Sequence, residues 1–389
     1  MNKEFVLTLF SCDASEKTGW GRFTREFCLA LHNESVPFEL HLPKTISVDS
    51  SLPFWKHVRL DLPPMFLSIG KRWWRSIYLW RESRRIKILG NIIHSLIEFP
   101  YGVVAYWTAC RYGLPFGLTV HGTYAVEPLR RFPDRWLYKR ALKNAKFVTA
   151  VSKFTAQRLV NVLGFAPPLT VIPNGVNFSL FAESKENPKK GKGVPTIASS
   201  QEIILCVGAL KPRKGITTLL EAFAKIAQQA PSAHLIIVGF GNKHPYLQMA
   251  EGLGIGNRVT LLNNLTDQDL IRLYRECKVF ALLPREDRRG HFEGFGLVYL
   301  EANSCGKPVV GTFSGGVPDA VLDGVTGFLV PPDNPEKAAE AILKLLRDEK
   351  LRQDMGQAGR KWAQEHDWPR IIDRYFRAYE RVMEQNRKE

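Results

Sequence analysis

The feature that most constrains this chain is an alternation sustained along nearly its whole length: short, β-branched apolar runs separated by amphipathic stretches. Runs such as VLTLF and IILCV are apolar at almost every position rather than at every second one, the mark of a strand covered on both faces. Covering both faces requires helices on either side of a parallel sheet, so the fold class is α/β. In the first half the strand candidates are Phe5–Phe10, Phe38–Leu42, Ile92–Ile97, Phe116–Val120, Phe147–Val151 and Leu169–Ile172, with helices such as Gly21–Asn33 and Arg135–Asn144 between them. A second series follows: strands Ile203–Val207, His234–Val238, Val259–Leu262, Val279–Leu283 and Pro308–Gly311, with helices Ile216–Ala230, Asp267–Cys277 and Leu297–Cys305.

Between the two series, SKENPKKGKGVPTIASS (residues 184–200) is rich in Lys, Gly, Pro and Ser and has no period, the composition of a linker. The expected organisation is therefore two Rossmann-like domains, residues 1–183 and 201–367, around that linker. A closing amphipathic helix within residues 368–389 is expected to cross back to the first domain. A total of 389 residues suits two domains of roughly 100 to 200 each. Such a pair leaves a central cleft, and open α/β sheets bind ligands at the carboxyl ends of their strands.

Composition excludes several classes. Hydrophobic content of 45% and charged content of 24% are those of a globular protein. The six cysteines (Cys12, Cys28, Cys110, Cys206, Cys277, Cys305) are scattered, with no zinc spacing, and read as thiols in a reducing cytoplasm. The opening MNKEFVLTLFSCDASE suits a first buried strand better than a signal peptide. The apolar stretch Ile92 to Val120 is interrupted by His94, Glu98, Pro100 and Arg111, too polar for a transmembrane helix. Charge is lopsided: residues 1–180 hold 24 Lys/Arg against 12 Asp/Glu, net +12, while residues 181–389 hold 30 against 26, net +4. A basic first half attracts phosphates, whether in nucleic acid, lipid or substrate.

Four segments carry chemistry. In EGFGLVYLEANSCGKPVV (293–310) a Gly-Phe-Gly loop opens a helix, so the amides of Phe295, Gly296 and Leu297 can converge on an anion. Glu293 precedes that helix and Glu301 lies about two turns in, two carboxylates suited to hydroxyls on opposite sides of a bound phosphate. Each taken alone also reads as an ordinary loop or helix charge. In VGALKPRKGITTLLEAF (207–223) a strand ends at Val207 and Lys211, Arg213 and Lys214 precede a helix whose apolar face is Ile216, Leu219, Leu220 and Phe223. Cations there form either a diphosphate site or a basic surface loop. In LTVHGTY (118–124) His121 ends an apolar strand, at a ligand-facing or a structural position. In KTGWGRFTREF (17–27) Gly19-Trp20-Gly21 follows the first strand and lets backbone approach a ligand closely. Neither that turn nor GFGN (239–242) has the spacing of a nicotinamide-binding loop. Asp267 and Asp269 have the spacing of a cation site but sit where a helix begins, which favours a capping role.

In this order the segments resemble the retaining GT-B glycosyltransferases of glycosyltransferase family 4, which include bacterial phosphatidylinositol mannosyltransferases. The resemblance runs nearly the whole chain through the glycine-rich first loop, LTVHG, AVSKFT, VIPNGVN, VGALKPRKG, EGFGLVYLEANSCGKPVV, SGGVPDAV and DGVTGFLV. It implies a nucleotide-sugar donor, GDP-mannose slightly ahead of a UDP-hexose. It implies that Glu293 contacts donor-sugar hydroxyls and Glu301 the ribose, and that Lys214 and Arg213 neutralise the diphosphate with the amides of Phe295 to Leu297. His121 would line the reaction centre and Gly19 the loop facing the diphosphate. It further implies no cofactor and no metal, and a lipid-linked or polysaccharide acceptor. Three positions depart from the family pattern: Ala209 stands where Arg is common, Asn177 where Asp is, and Arg285 where Ser is.

Residues 65–88 hold seven Lys/Arg and one Glu. On a helix, Phe66, Ile69, Trp73, Ile77 and Trp80 share one arc, with Lys71, Arg72 and Arg75 opposite. That suits either an interfacial helix on an anionic membrane or a domain helix with a basic solvated face. The expected location is cytoplasmic, peripheral on the membrane face. No nucleic-acid module is visible, and a nucleic-acid-binding protein ranks last. A nucleotide-sugar epimerase of similar fold is the nearer alternative.

Overall fold

The structure is a computed structural model describing residues 5–15, 18–66, 68–69, 72–182, 201–263 and 265–387. The linker expected at 184–200 lies outside the described residues, as does Lys71. The chain forms two compact units: residues 1–175 with 368–389, and residues 176–367. The division thus falls at Gly175, ahead of the composition shift near residue 183.

The first unit is built on a seven-stranded, wholly parallel sheet: β1 (Leu7–Phe10), β2 (Phe38–Pro43), β3 (Val58–Leu62), β4 (Ile92–Ser95), β5 (Phe116–Val120), β6 (Phe147–Ala150) and β7 (Leu169–Val171), in the order β3-β2-β1-β4-β5-β6-β7. Every residue of β1, β2, β4, β5 and β6 is buried, as the unbroken apolar runs require. Its helices are α1 (Gly19–Asn33), α2 (Trp74–Ser83), α3 (Tyr101–Tyr112), α4 (Asp134–Asn144) and α5 (Lys153–Leu163). Thr18 caps α1 and Ser152 caps α5 through side-chain bonds to Gly21 N and Thr155 N.

The second unit has a six-stranded parallel sheet: β8 (Glu202–Val207), β9 (Ala233–Val238), β10 (Val259–Leu262), β11 (Val279–Ala281), β12 (Val309–Thr312) and β13 (Gly327–Val330), in the order β10-β9-β8-β11-β12-β13. Its helices are α6 (Phe178–Ala182), α7 (Ile216–Gln229), α8 (His244–Gly252), α9 (Asp267–Glu276), α10 (Leu297–Ser304), α11 (Val317–Ala320), α12 (Pro335–Arg347) and α13 (Glu349–Glu365). The face of α7 expected to be apolar is the one it buries, with Thr218, Ala222 and Ile226 added.

The last helix, α14 (Trp368–Asn386), packs in the first unit. Trp368, Ile371, Ile372, Tyr375, Phe376, Tyr379 and Val382 join the core that holds β1, β2 and α1. Tyr379 Oη and His94 Nδ1 are 2.7 Å apart.

Two strands have no counterpart in the sequence reading. β3 (VRLDL) exposes Arg59 and Leu60 at the sheet edge and lacks an apolar run; β13 (GFLV) is four residues long and starts on glycine. The helix expected across 65–88 is only Trp74–Ser83, and Ile69, placed with the tryptophans, is instead buried, its amide bonded to Asp134 Oδ1. Both sheets reverse strand order next to their first strand, between β1 and β4 and between β8 and β11. In doubly wound sheets that switch point opens a crevice at the carboxyl ends of the strands.

Candidate functional site

In the second unit the residues that emerge at the switch point are the ones the motifs single out. β8 ends at Val207, and the loop to α7 carries Arg213 and Lys214 in a single 3-10 turn, Pro212–Lys214. Gly215 closes the turn at φ +66°, and a Cβ there would lie 1.7 Å from the Leu283 carbonyl oxygen, so only glycine lets the β8 and β11 loops touch. Arg285 N donates to Arg213 O at 2.9 Å, tying the same loops together. The Lys214 stem runs over Gly208.

Glu293 comes from the loop after β11. Its Oε2 accepts from Lys214 Nζ at 2.5 Å and from Arg213 Nη1 at 3.0 Å, with all three side chains mostly buried. Gly316 N donates to the Glu293 carbonyl at 2.8 Å, so the SGG loop after β12 fixes its backbone. Burial alone would raise the Glu293 carboxyl, but Lys214 and Arg213 outweigh it and hold the group below the usual carboxylate range. Two cations on one carboxylate leave one surplus positive charge in a sheltered place. Beside it Gly296, at φ +95°, opens α10, and among the described residues no side chain caps that helix. Its first amides, at Leu297 and just before, are therefore placed for an anion.

Other positions differ from expectation in detail. Glu301 is just over one turn into α10, not two, and is buried; its Oε2 accepts from Tyr274 Oη at 2.7 Å. Phe295 is buried too, its ring packed against His366. Thr266 caps α9 by accepting from Asp269 N, and its hydroxyl donates to Asp269 Oδ2 at 2.8 Å, so the Asp267/Asp269 pair is a helix start. Arg285, the departure from the family pattern, pairs with Asp333 at 2.9 Å.

In the first unit His121 follows β5. Its Nε2 lies 2.8 Å from the Leu96 carbonyl, so that nitrogen carries the proton and Nδ1 is left as an acceptor. Burial drops its pKa to about 4, so the ring is neutral near pH 7. Phe23 packs edge-on against it. Gly19 is the first residue of α1 rather than part of a preceding turn, and none of the described residues comes within 4 Å of its would-be Cβ. Gly21 is the crowded one, its would-be Cβ 2.3 Å from Ser15 O, so the close approach of backbone belongs there. Sequence reasoning missed Glu98, whose carboxylate accepts the His121 backbone N–H, and Tyr274; neither stands in a motif of its own.

Comparison with known proteins fits this geometry. The family model described as Glycosyltransferase Family 4 matches residues 18–180, and the one described as Glycosyl transferases group 1 matches residues 189–362. The fold is GT-B, two Rossmann-like domains, as in sucrose-phosphate synthase from Thermosynechococcus elongatus (TM-score 0.76, 22% identity, 97% of this chain and 99% of that one). Anabaena HepE, solved with UDP and glucose, is similar at TM-score 0.72 and 19% identity over 97% of this chain and 100% of that one. The chain belongs to the group 1, family 4 glycosyltransferases. A GDP-mannose-dependent alpha-(1-6)-phosphatidylinositol monomannoside mannosyltransferase from Mycolicibacterium smegmatis is 34% identical over 237 residues, spanning 59% of this chain and 60% of that protein.

Proposed function

We propose that the chain moves a hexosyl group from a nucleotide-diphospho-sugar to a hydroxyl of a lipid-linked or polysaccharide acceptor, with retention and without a metal ion. The observation that carries this is the Lys214–Glu293–Arg213 cluster at the carboxyl end of β8, beside the uncapped start of α10. A nucleoside diphosphate brought there takes over the two cations and the first amides of α10, which frees Glu293 to accept hydrogen bonds from the sugar hydroxyls. Glu301, held by Tyr274, meets the ribose. The barrier is departure of the diphosphate from an oxocarbenium-like sugar, so fixed positive charge on the leaving oxygens does most of the work. The acceptor oxygen bonds to the anomeric carbon as the carbon–oxygen bond to phosphate breaks, and a leaving phosphate oxygen takes the acceptor proton. His121, neutral with Nδ1 open, accepts a sugar hydroxyl rather than serving as a charged acid.

GDP-mannose is the preferred donor, supported by the named donor of the mycobacterial relative. We place the protein in the cytoplasm, peripheral on an anionic membrane. No helix among the described residues is long and apolar enough to cross a membrane. Along α2, Leu79, Glu82 and Ser83 face inward, while Trp73 (65% exposed), Trp74, Ile77 and Trp80 face out, with Arg84 over the Trp80 ring. Phe132 (82% exposed) and Trp136 lie at the start of α4, which Ser68 joins to the approach to α2 through Asp134. Large aromatics so exposed beside arginines match an interfacial surface.

The test is product analysis by NMR with GDP-mannose, with and without a polyprenyl or inositol phospholipid acceptor. Transfer is expected only with acceptor, giving an α-linked product and GDP. A sugar isomerised with donor alone would replace the proposal by an epimerase.

A further inference from the structure

Glu98 lies in the first unit, between β4 and α3, in a segment held at every turn. Leu96 N donates to Phe10 O at 2.8 Å, Ser95 Oγ to Ile97 O at 2.6 Å, and Gly102 N to Glu98 O at 2.9 Å. His121 is tied to this segment twice: its backbone N–H donates to Glu98 Oε1 and its ring Nε2–H to Leu96 O. Glu98 is 1% exposed, and its other oxygen, Oε2, is buried with no hydrogen-bond partner among the described residues. The nearby Tyr138 hydroxyl on α4 is likewise buried without one among those residues. A buried carboxyl oxygen left unengaged lowers stability, so its presence points to a role beyond packing.

We infer that Glu98 is the positioning residue of the first unit: it fixes the backbone of His121, so that the ring presents an unprotonated Nδ1 to a substrate hydroxyl. This rests on the glycosyltransfer reading above only for its effect on turnover; the effect on His121 itself stands apart from it. The carboxylate form accepts the His121 N–H more strongly than the acid form, so the tether tightens when Glu98 loses its proton. Burial pushes that carboxyl up to about 7. The titratable and charged groups around it are Cys12 after β1, pushed up to about 12, His121, at about 4, and Tyr138 and Tyr101, both raised by burial. Asp13 acts on Cys12, and His121 acts on His94, which burial holds at about 3. Glu98 is thus the group of this cluster placed to change charge near neutrality.

The experiment follows the His121 backbone amide and imidazole nitrogens by NMR from pH 5.5 to 9 in the full chain, assigned through His121→Gln, alongside kcat and donor KM. In the wild type the amide shift moves with a midpoint near 7 while the ring stays neutral with its proton on Nε2, and kcat rises with pH through the same midpoint. Glu98→Gln keeps the tautomer and abolishes the amide step and the kcat step. Glu98→Leu loses the tautomer preference and about 100-fold in kcat, the order expected for a misplaced group, with donor KM little changed. A flat wild-type amide shift, or an unchanged step in Glu98→Gln, overturns the inference, and Glu98→Gln decides it should Glu98→Leu not fold. If no donor is turned over, the glycosyltransfer reading fails while the amide titration still decides the tether.

Discussion

At the residue scale, two charged clusters behave in opposite ways. Glu293 shares one oxygen between Lys214 and Arg213, and under the proposed function an incoming diphosphate displaces it. Lys214→Ala should lose about 2.7 to 4 kcal/mol of transition-state stabilisation, on the order of 100- to 1,000-fold in kcat/KM, by analogy with loss of one oxyanion donor. Arg213→Ala should cost less, because its hydrogen bond to Glu293 is the longer one. Steady-state kinetics check both; an undiminished Lys214→Ala enzyme refutes the assignment. The second cluster is structural. His41, fully buried on β2, bonds to Asp61 on β3 at 2.8 Å and lies 3.5 Å from Glu39, whose other oxygen accepts from Thr8 and Leu89. Burial would lower the His41 pKa, but Asp61 and Glu39 raise it overall; burial would raise Glu39, but His41 and its other donors bring it to about 2. The His41 contribution is therefore complete below its ordinary value of 6.5 and lost as pH rises through the elevated one. The Glu39 contribution is complete above 4.5 and lost as pH falls towards 2. His41→Gln should cost roughly 3 to 5 kcal/mol at pH 6 and less at pH 9. Urea unfolding at the two pH values measures this, and an equal cost at both contradicts it.

At the scale of elements, what the sequence makes legible is burial. The apolar runs locate eleven of the strands and the face of α7, because a strand covered on both sides has no polar alternative. β3 and β13 are illegible for different reasons: the first is an edge strand with Arg59 and Leu60 in solvent, and the second, though mostly buried, offers only three apolar residues after a glycine, too short a run to read as a strand. The site is legible where a motif sits on one loop, as with Arg213, Lys214 and Glu293. It is illegible where partners are far apart in sequence, as with Glu98 under His121, Tyr274 on Glu301 and the Glu39–His41–Asp61 cluster. Helix α2 marks a limit of periodicity, since a wheel groups Ile69 with Trp73 although the helix starts only at Trp74. Its tryptophans yield a prediction of their own. Replacing Trp73, Trp80 and Trp136 with Ser should abolish co-sedimentation with anionic phosphatidylglycerol vesicles at low salt and leave thermal stability unchanged, because these side chains are roughly half or more exposed. Undiminished binding by the triple variant would remove this surface as the docking face.

At the scale of the whole molecule, the last helix belongs to the fold of the first unit. Phe376, 3% exposed, packs with Phe5, and the Tyr379 hydroxyl meets His94 behind the sheet. Phe376→Ala should cost roughly 3 to 5 kcal/mol of stability, seen as loss of the unfolding midpoint in denaturant; a cost under about 1 kcal/mol would mean that α14 is dispensable to that core. Charge also divides at this scale, with most of the net +16 in residues 1–180 and the Arg213–Lys214 pair in the other unit. We propose that the basic, aromatic first unit meets an anionic lipid surface and that the second unit holds the donor. The measurement that tests donor binding most directly is calorimetric titration of GDP into the wild type and into Lys214→Ala, with guanosine as control. Saturable GDP binding, weakened by about 2.7 to 4 kcal/mol in Lys214→Ala and far weaker for guanosine, is the predicted result. GDP bound equally by both proteins, or by neither, would contradict it.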